Sequence, residues 1–225
     1  LISSSRSLLD LNLFKNGSIS IQDPAAGAVV DLLDPKSGDI VLDICAAPGT
    51  KSLYISEKIG EKGKVLAYDN NSKRIKKAKN DNIRNYRKNI FWKQKDATYD
   101  AYPKADKILI DAPCSGTGVI GNKPDIRWRR KPNDILNMSK LQLKILENVS
   151  KYLNLGGSLV YSTCSLEKEE NWDVVEQFLK LNVNFKLDKL NTMIPSEWVD
   201  KKGCLNTIPY IHNVSGMFAV KIKRT

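Results

Sequence analysis

From Asp39 onward the chain alternates short apolar runs with longer segments whose apolar residues recur at helical spacing. That alternation predicts a parallel sheet with helices on both faces. Ile40-Val41-Leu42-Asp43-Ile44 reads as a first buried strand, followed by a Gly-containing turn and a helix from about Thr50 to Ile59. Lys64 to Asp69 reads as a second strand ending in an acid, and about Ser72 to Arg87 as a very basic helix. Ile90 to Gln94 and Lys107 to Asp111 are the expected third and fourth strands. A long helix, roughly Asn133 to Leu153, leads through Gly156-Gly157 into a fifth strand, Ser158 to Ser162. Glu167 to Lys180 is expected to be helical, and Gly216 to Ile222 to form a last strand.

Residues 1–38 form a preamble, expected as an N-terminal extension packed on a core that spans residues 39–225. Ile19-Ser20-Ile21 fits a short strand. Pro24 to Leu33 fits a helix with Asp23 as its cap and Pro24 at its first position.

Composition narrows the class. A length of 225 residues with 41% hydrophobic positions suits one large α/β domain with a real core. No apolar run approaches the roughly 18 residues of a membrane span. Leu1 to Arg6 lacks the apolar segment of a secretory signal, so the cytoplasm is the expected compartment. It also lacks an initiator Met, which fits a piece of something longer. A net charge of +11 favours a polyanionic partner, against the plainer reading of a lysine-rich solvated surface. Cys45, Cys114, Cys164 and Cys204 form no C-x-x-C pair, and His212 is the single histidine, so no metal site is expected. The thiols are expected to be free: inert core residues or reactive groups.

Open α/β sheets bind ligands outside the carboxyl ends of their strands, and the candidate motifs fall there. Asp43-Ile44-Cys45-Ala46-Ala47-Pro48-Gly49-Thr50-Lys51 follows the first strand, its small residues allowing close approach to a ligand. It is neither the G-x-G-x-x-G of dinucleotide enzymes nor a P-loop. Asp69 stands where an acid commonly accepts hydrogen bonds from ribose hydroxyls, or else caps the helix at Ser72. Asp111-Ala112-Pro113-Cys114-Ser115-Gly116-Thr117-Gly118 and Ser162-Thr163-Cys164-Ser165 follow the fourth and fifth strands. If those strands are neighbours, Cys114 and Cys164 face each other across one pocket.

Cys45 to Lys51, Asp111 to Gly118 and Tyr161-Ser162-Thr163-Cys164-Ser165 resemble the signature motifs of the RNA 5-methylcytosine methyltransferases, the Sun/Fmu/nucleolar family. Lys123 to Trp128, Glu167 to Asn171 and Gly17 to Asp23 resemble it too, so the likeness runs from about Gly17 to Lys223. Lys123-Pro124-Asp125-Ile126-Arg127-Trp128 looks most like the bacterial small-subunit rRNA enzymes. The resemblance implies a Rossmann-like S-adenosylmethionine-dependent methyltransferase fold with a mostly parallel seven-stranded sheet. It implies S-adenosylmethionine as cofactor, with the Cys45-Ala46-Ala47-Pro48-Gly49-Thr50-Lys51 loop on its methionine part, Asp69 on its ribose and Asp96 near its adenine. Asp111 would sit between methyl donor and base, Cys164 would be the nucleophile, and Cys114 would assist release. Lys51 would lower a thiol pKa or contact the base, unless it is simply a solvated lysine.

These residue types suit the chemistry. Carbon 5 of cytosine attacks a methyl group only after a thiolate adds to carbon 6, and an acid near ring nitrogen 3 stabilises that adduct. The target base must leave its stack, which favours looped or single-stranded RNA; the likeness to the small-subunit rRNA enzymes implies rRNA first and tRNA second. Arg127, Trp128, Arg129, Arg130 and Lys131 are the expected RNA contact, with Trp128 buried as the alternative, while most charges of the basic helix read as solvated. A monomer is expected. Ser215 stands where the family usually has Asp, and Tyr210 where a second His is frequent, so His212 reads as structural or substrate-facing. Other readings stay open: a catalytically idle RNA-binding or ribosome-assembly factor, or a DNA cytosine enzyme with Cys114 as nucleophile. An amino-methylating enzyme would show an Asn-Pro-Pro-aromatic turn in place of Asp111 to Cys114.

Overall fold

The computed structural model describes residues 8–188 and 193–225. The opening read above as lacking a signal, Leu1 to Arg6, lies outside them. The described helices are α1 (Asn12–Lys15), α2 (Pro24–Leu33), α3 (Thr50–Ile59), α4 (Ser72–Arg84), α5 (Ile126–Arg129), α6 (Pro132–Ser150), α7 (Trp172–Leu181) and α8 (Pro209–His212). The strands are β1 (Ile40–Ile44), β2 (Lys64–Asp69), β3 (Ile90–Gln94), β4 (Ala105–Asp111), β5 (Leu153–Thr163), β6 (Phe185–Leu187), β7 (Leu205–Thr207) and β8 (Met217–Arg224).

They form one sheet in the order β3-β2-β1-β4-β5-β8-β6, with β7 also paired to β8. The first five strands along that path run parallel, and β8 lies antiparallel to β5, β6 and β7. Seven strands therefore line the path, as expected, and short β7 is an eighth. Successive residues of a strand point to opposite faces, so each central strand feeds two cores. Leu42, Ile108, Ile110, Leu159 and Tyr161 join the core under α6 and α7. Val41, Leu109, Val160 and Ala219 join the core under α2 and α3.

Several expected boundaries shift. The fifth strand begins at Leu153, so Gly156-Gly157 lies inside it, beside a register irregularity between Ala105 and Lys107. The stretch expected as one helix from Glu167 to Lys180 is a 3-10 turn at Lys168–Glu170, broken at Asn171, then α7. Ile19 to Ile21 is not a strand; the Ile19 N–H donates to the Leu13 carbonyl, and Arg84 donates to the Ile19 carbonyl. Asp23 caps α2 by accepting from the Ala25 N–H at 2.8 Å.

The second Asp23 oxygen accepts from the Ser215 hydroxyl at 2.7 Å, tying the preamble to the loop before β8. An aspartate at position 215 would set two carboxylates against each other, so Ser215 suits its partner. His212 also acts structurally: its Nδ1 accepts from the Ile208 N–H, which leaves Nε2 to donate to the Glu197 carbonyl. Asp23→Ala removes both a helix cap and this tether. It is expected to lower stability by about 1–2 kcal/mol in urea unfolding, with Ser215→Ala costing less.

Candidate active site

Parallel pairing of β1, β2, β4 and β5 brings their carboxyl ends to one rim, where a cleft of about 490 Å³ opens. Cys45, Ala47 and Pro48 line it, together with Asp69, Asp96, Asp111, Cys114 and Cys164. Ala46, Gly49, Thr50 and Lys51 belong to the same loop and to the first turn of α3. Gly49 precedes α3 at φ 105°, a left-handed conformation that glycine takes without strain, and as the N-cap residue it has no side chain to cap the helix.

The acids are individually anchored. Asp69 accepts from the Ala47 N–H at 3.2 Å and from the Asn71 N–H at 2.9 Å. The cap of α4 is Asn71, which accepts from the Lys73 and Arg74 N–H groups; this settles the alternative role considered for Asp69. Arg74 reaches back to pair with Asp69 and to donate to the Ala47 carbonyl. Asp96 Oδ1 accepts from the Thr98 N–H at 2.8 Å and from its hydroxyl at 2.6 Å. Asp43 is fully buried, with Oδ2 accepting from the Ser52 hydroxyl at 2.5 Å and Oδ1 unpartnered among the described residues. Burial pushes its carboxyl up to about 7.

Lys51 is not a solvated lysine. Its side chain is only 12% exposed and its Nζ lies 2.8 Å from Asp111 Oδ2. Burial pulls the ammonium down, but the Asp111 charge and hydrogen bond outweigh it and hold the group above its ordinary value. The other Asp111 oxygen accepts from the Ser162 hydroxyl at 3.1 Å. Asp111 is thus one third exposed and ion-paired.

The two cysteines face each other with sulfurs 3.2 Å apart. Cys114 follows β4 and Cys164 follows β5, adjacent strands in register from Lys107↔Ser158 to Asp111↔Ser162. Their environments push them in opposite directions. The hydrogen bond from Cys114 holds the Cys164 thiol below its ordinary range; Lys51 and Lys123 add to this, while burial and Asp111 oppose it. The same hydrogen bond, then burial, raises Cys114. Of the pair, Cys164 ionises the more readily and Cys114 holds its proton the more tightly. Cys45, by contrast, is raised by burial and nearby acids, and Cys204 is buried beneath the sheet.

A family model described as 16S rRNA methyltransferase RsmB/F matches residues 30–223. The chain belongs to this family. The resemblance read from its motifs is therefore borne out. Among RsmB/F relatives, a probable ribosomal RNA small subunit methyltransferase B of Bacillus subtilis is 36% identical over 221 residues, covering 95% of this chain and 49% of the relative. A ribosomal RNA small subunit methyltransferase B of Shewanella oneidensis is 35% identical over 225 residues, covering 99% of this chain and 51% of the relative. The chain thus spans about half the length of these relatives. The crystal structure of NSun6 from Pyrococcus horikoshii with SFG is 31% identical with a TM-score of 0.88, over 97% of this chain and 56% of that one. A methyltransferase homolog protein from the same organism is 31% identical with a TM-score of 0.84, over 99% and 73%. These neighbours share the Rossmann-like methyltransferase fold expected for RsmB/F.

Arg74 and Lys123 are site residues that the sequence reading did not single out: one closes on the Cys45–Lys51 loop, the other lines the cleft beside the cysteines. The loops also meet backbone to backbone. Gly118 donates its N–H to the Cys164 carbonyl at 2.9 Å and accepts from the Gly216 N–H at 2.8 Å. A Cβ on Gly118 would stand 2.4 Å from the Gly216 oxygen. Gly118→Ala is therefore expected to displace the Cys164 turn and destabilise the fold by about 1–3 kcal/mol in urea unfolding; unchanged stability would contradict this packing.

Proposed function

We propose that this chain is the catalytic part of an RNA methyltransferase that makes 5-methylcytosine from S-adenosylmethionine, acting on small-subunit rRNA. The observation that carries the reaction is the polarised thiol pair, 3.2 Å apart, at the rim of the cleft. The rRNA substrate is supported by the family and by the names of its relatives. On this reading residues 1–38 are an extension packed on a catalytic core of residues 39–225.

The residues present fit the cofactor. Tyr102 lines the cleft with a buried hydroxyl that has no partner among the described residues. A nucleoside bearing a cationic amino acid offers polar groups of the kind this hydroxyl lacks. The Cys45–Lys51 loop would hold the methionine part, with Asp69 on the ribose and Asp96 toward the adenine. When bound, S-adenosylmethionine supplies an electrophilic methyl group to carbon 5.

Cys164, as thiolate, adds to carbon 6 of the cytosine and makes carbon 5 nucleophilic. As the adduct forms, ring nitrogen 3 takes up a proton from water of the cleft and donates it in a hydrogen bond to Asp111, giving it back when the ring is restored; the ion pair of Asp111 with Lys51 keeps positive charge where the adduct becomes electron-rich. Once Cys164 is consumed in the adduct, Cys114 loses the acceptor of its hydrogen bond, and with it the main cause of its raised pKa. Its proton then passes to water of the cleft. The Cys114 thiolate removes the carbon-5 proton, the ring double bond re-forms, and Cys164 leaves.

RNA would approach over the segment that follows the Cys114 turn. Trp128 is 84% exposed on α5, which overturns the buried alternative and suits it to stacking on a base. Arg129 and Arg130 line the cleft mouth, and Arg127 and Lys131 are exposed beside them. The charges of α4 are mostly solvated, apart from Arg74 and Arg84.

Substitution separates the two thiols. Cys164→Ala is expected to abolish methyl incorporation into RNA while leaving cofactor affinity nearly intact by calorimetry. Cys114→Ala is expected to permit attack and transfer but stall release, giving an RNase-sensitive, slow-migrating band on a denaturing gel. Equal, mild losses with no such band would contradict the division of labour.

A further inference from the structure

Behind the two cysteines lies a carboxylate that the reaction scheme does not use. Glu170 is fully buried in the turn before α7. Its Oε1 accepts from the Ser115 N–H at 2.8 Å and from Gln142 Nε2 at 3.0 Å. Its Oε2 accepts from the Ser165 hydroxyl at 2.5 Å and from the Ser115 hydroxyl. Ser115 directly follows Cys114, and Ser165 directly follows Cys164. One side chain therefore fastens both cysteine turns.

The surroundings reinforce this junction. Gln142 of α6 also donates to the Pro113 carbonyl, and Arg130 donates to the Ser115 carbonyl at 2.8 Å. The Tyr161 hydroxyl donates to the Glu170 carbonyl at 2.6 Å. Asn171 donates to the Ser165 carbonyl and accepts from the Thr163 hydroxyl, clamping the Cys164 turn from its other side. Every donor to the Glu170 carboxylate is neutral, and among the described residues no salt bridge reaches it.

A buried anion without a counter-ion is a poor device for stability, because desolvation opposes it and a neutral side chain of the same shape would meet most of the same donors. The hydroxyls of Ser115 and Ser165 can each turn to accept as well as donate, so a glutamine would fit the same hole. What glutamine would not supply is the negative charge. Three of the four hydrogen bonds to that carboxylate come from Ser115, next to Cys114, and from Gln142, which also holds Pro113; its charge opposes ionisation of Cys114, whereas Lys51 and Lys123 favour ionisation of Cys164.

We propose that Glu170 is a positioning residue for the two-cysteine site: its buried carboxylate sets which of the two sulfurs carries the proton. The cations near Cys164 and this anion near the Cys114 turn add to the polarisation that the hydrogen bond between the sulfurs begins. The assignment rests on the two-cysteine reading above, but its test needs neither RNA nor methyl transfer.

The experiment is alkylation of the chain by iodoacetamide across a pH series, with each cysteine followed by peptide mass spectrometry. In the unsubstituted chain Cys164 is expected to react first. In Glu170→Gln the Cys164-to-Cys114 ratio is expected to fall roughly tenfold, the effect of about one pK unit, and the midpoint for Cys114 to move to lower pH. Glu170→Asp, which keeps the charge and shortens the reach, is expected to retain most of the selectivity despite a lower melting temperature. A folded Glu170→Gln with unchanged ratio and midpoint would overturn the proposal. So would a Glu170→Asp variant as unselective as glutamine, and that comparison stands even if Glu170→Gln fails to fold. A purely structural role would expose both thiols together and leave the midpoints in place, which also overturns it. Loss of selectivity in Glu170→Gln from a chain that methylates no RNA would sink the reaction and keep the assignment of Glu170.

Discussion

The parallel pairing of β4 with β5 is the constraint on which the site depends. Its register sets Asp111 beside Ser162, so the turns that follow begin at the same height on adjacent strands. Two residues past Ser162 and three past Asp111, the chain places Cys164 and Cys114 with sulfurs 3.2 Å apart. A slip of one residue in that ladder would turn every side chain to the opposite face and separate the thiols. The fully buried Leu109, Ile110, Val160 and Tyr161 fix the register, because each must enter one of the two cores. Packing far from solvent thereby determines geometry at the rim.

Electrostatics then distinguishes two chemically identical groups. Lys51 is held at 2.8 Å from Asp111 on the cleft side, and Lys123 adds charge from the mouth. Glu170 lies on the far side with only neutral donors around it. Such an arrangement is expensive to bury and makes little sense as a stabilising device. It makes sense as a means of giving one thiol the nucleophile's task and its neighbour the proton. Asp43, raised toward neutrality by burial at the foot of the Cys45–Lys51 loop, is a second place where the fold tolerates an unfavourable group beside its site.

Much of this was legible before any coordinates. β1, β2 and α3 fall where the apolar runs and the glycine turn put them, because strands buried on both faces leave an unbroken hydrophobic signature; β3, an edge strand with only Ile90 buried, also falls where expected. The motif loops were legible for the same reason: they begin where those runs stop. The failures share a cause. Gly156 and Gly157 read as a turn but continue β5, since strand pairing at an irregular point accepts residues that local propensity would exclude. The break at Asn171 is invisible in helical spacing because the Ser165 and Thr163 contacts impose it. Strands β6 and β7 are three residues each, too short for a periodic signal. Arg74 reads as one more charge on a solvated helix, and only the fold shows it reaching the Ala47 carbonyl. Glu170 lay within a recognised stretch, yet its partners come from Ser115, Gln142 and Ser165, separated by up to 55 positions.

The assignment of Cys164 rather than Cys114 as nucleophile is tested most directly by trapping the covalent step. An RNA carrying 5-fluorocytidine blocks removal of the carbon-5 substituent and should leave the enzyme attached after transfer. Digestion and mass spectrometry then identify the attached residue. Attachment at Cys164, dependent on S-adenosylmethionine, is the expected result. Attachment at Cys114 would contradict the proposed mechanism and point to the chemistry in which the Pro113-Cys114 turn supplies the nucleophile.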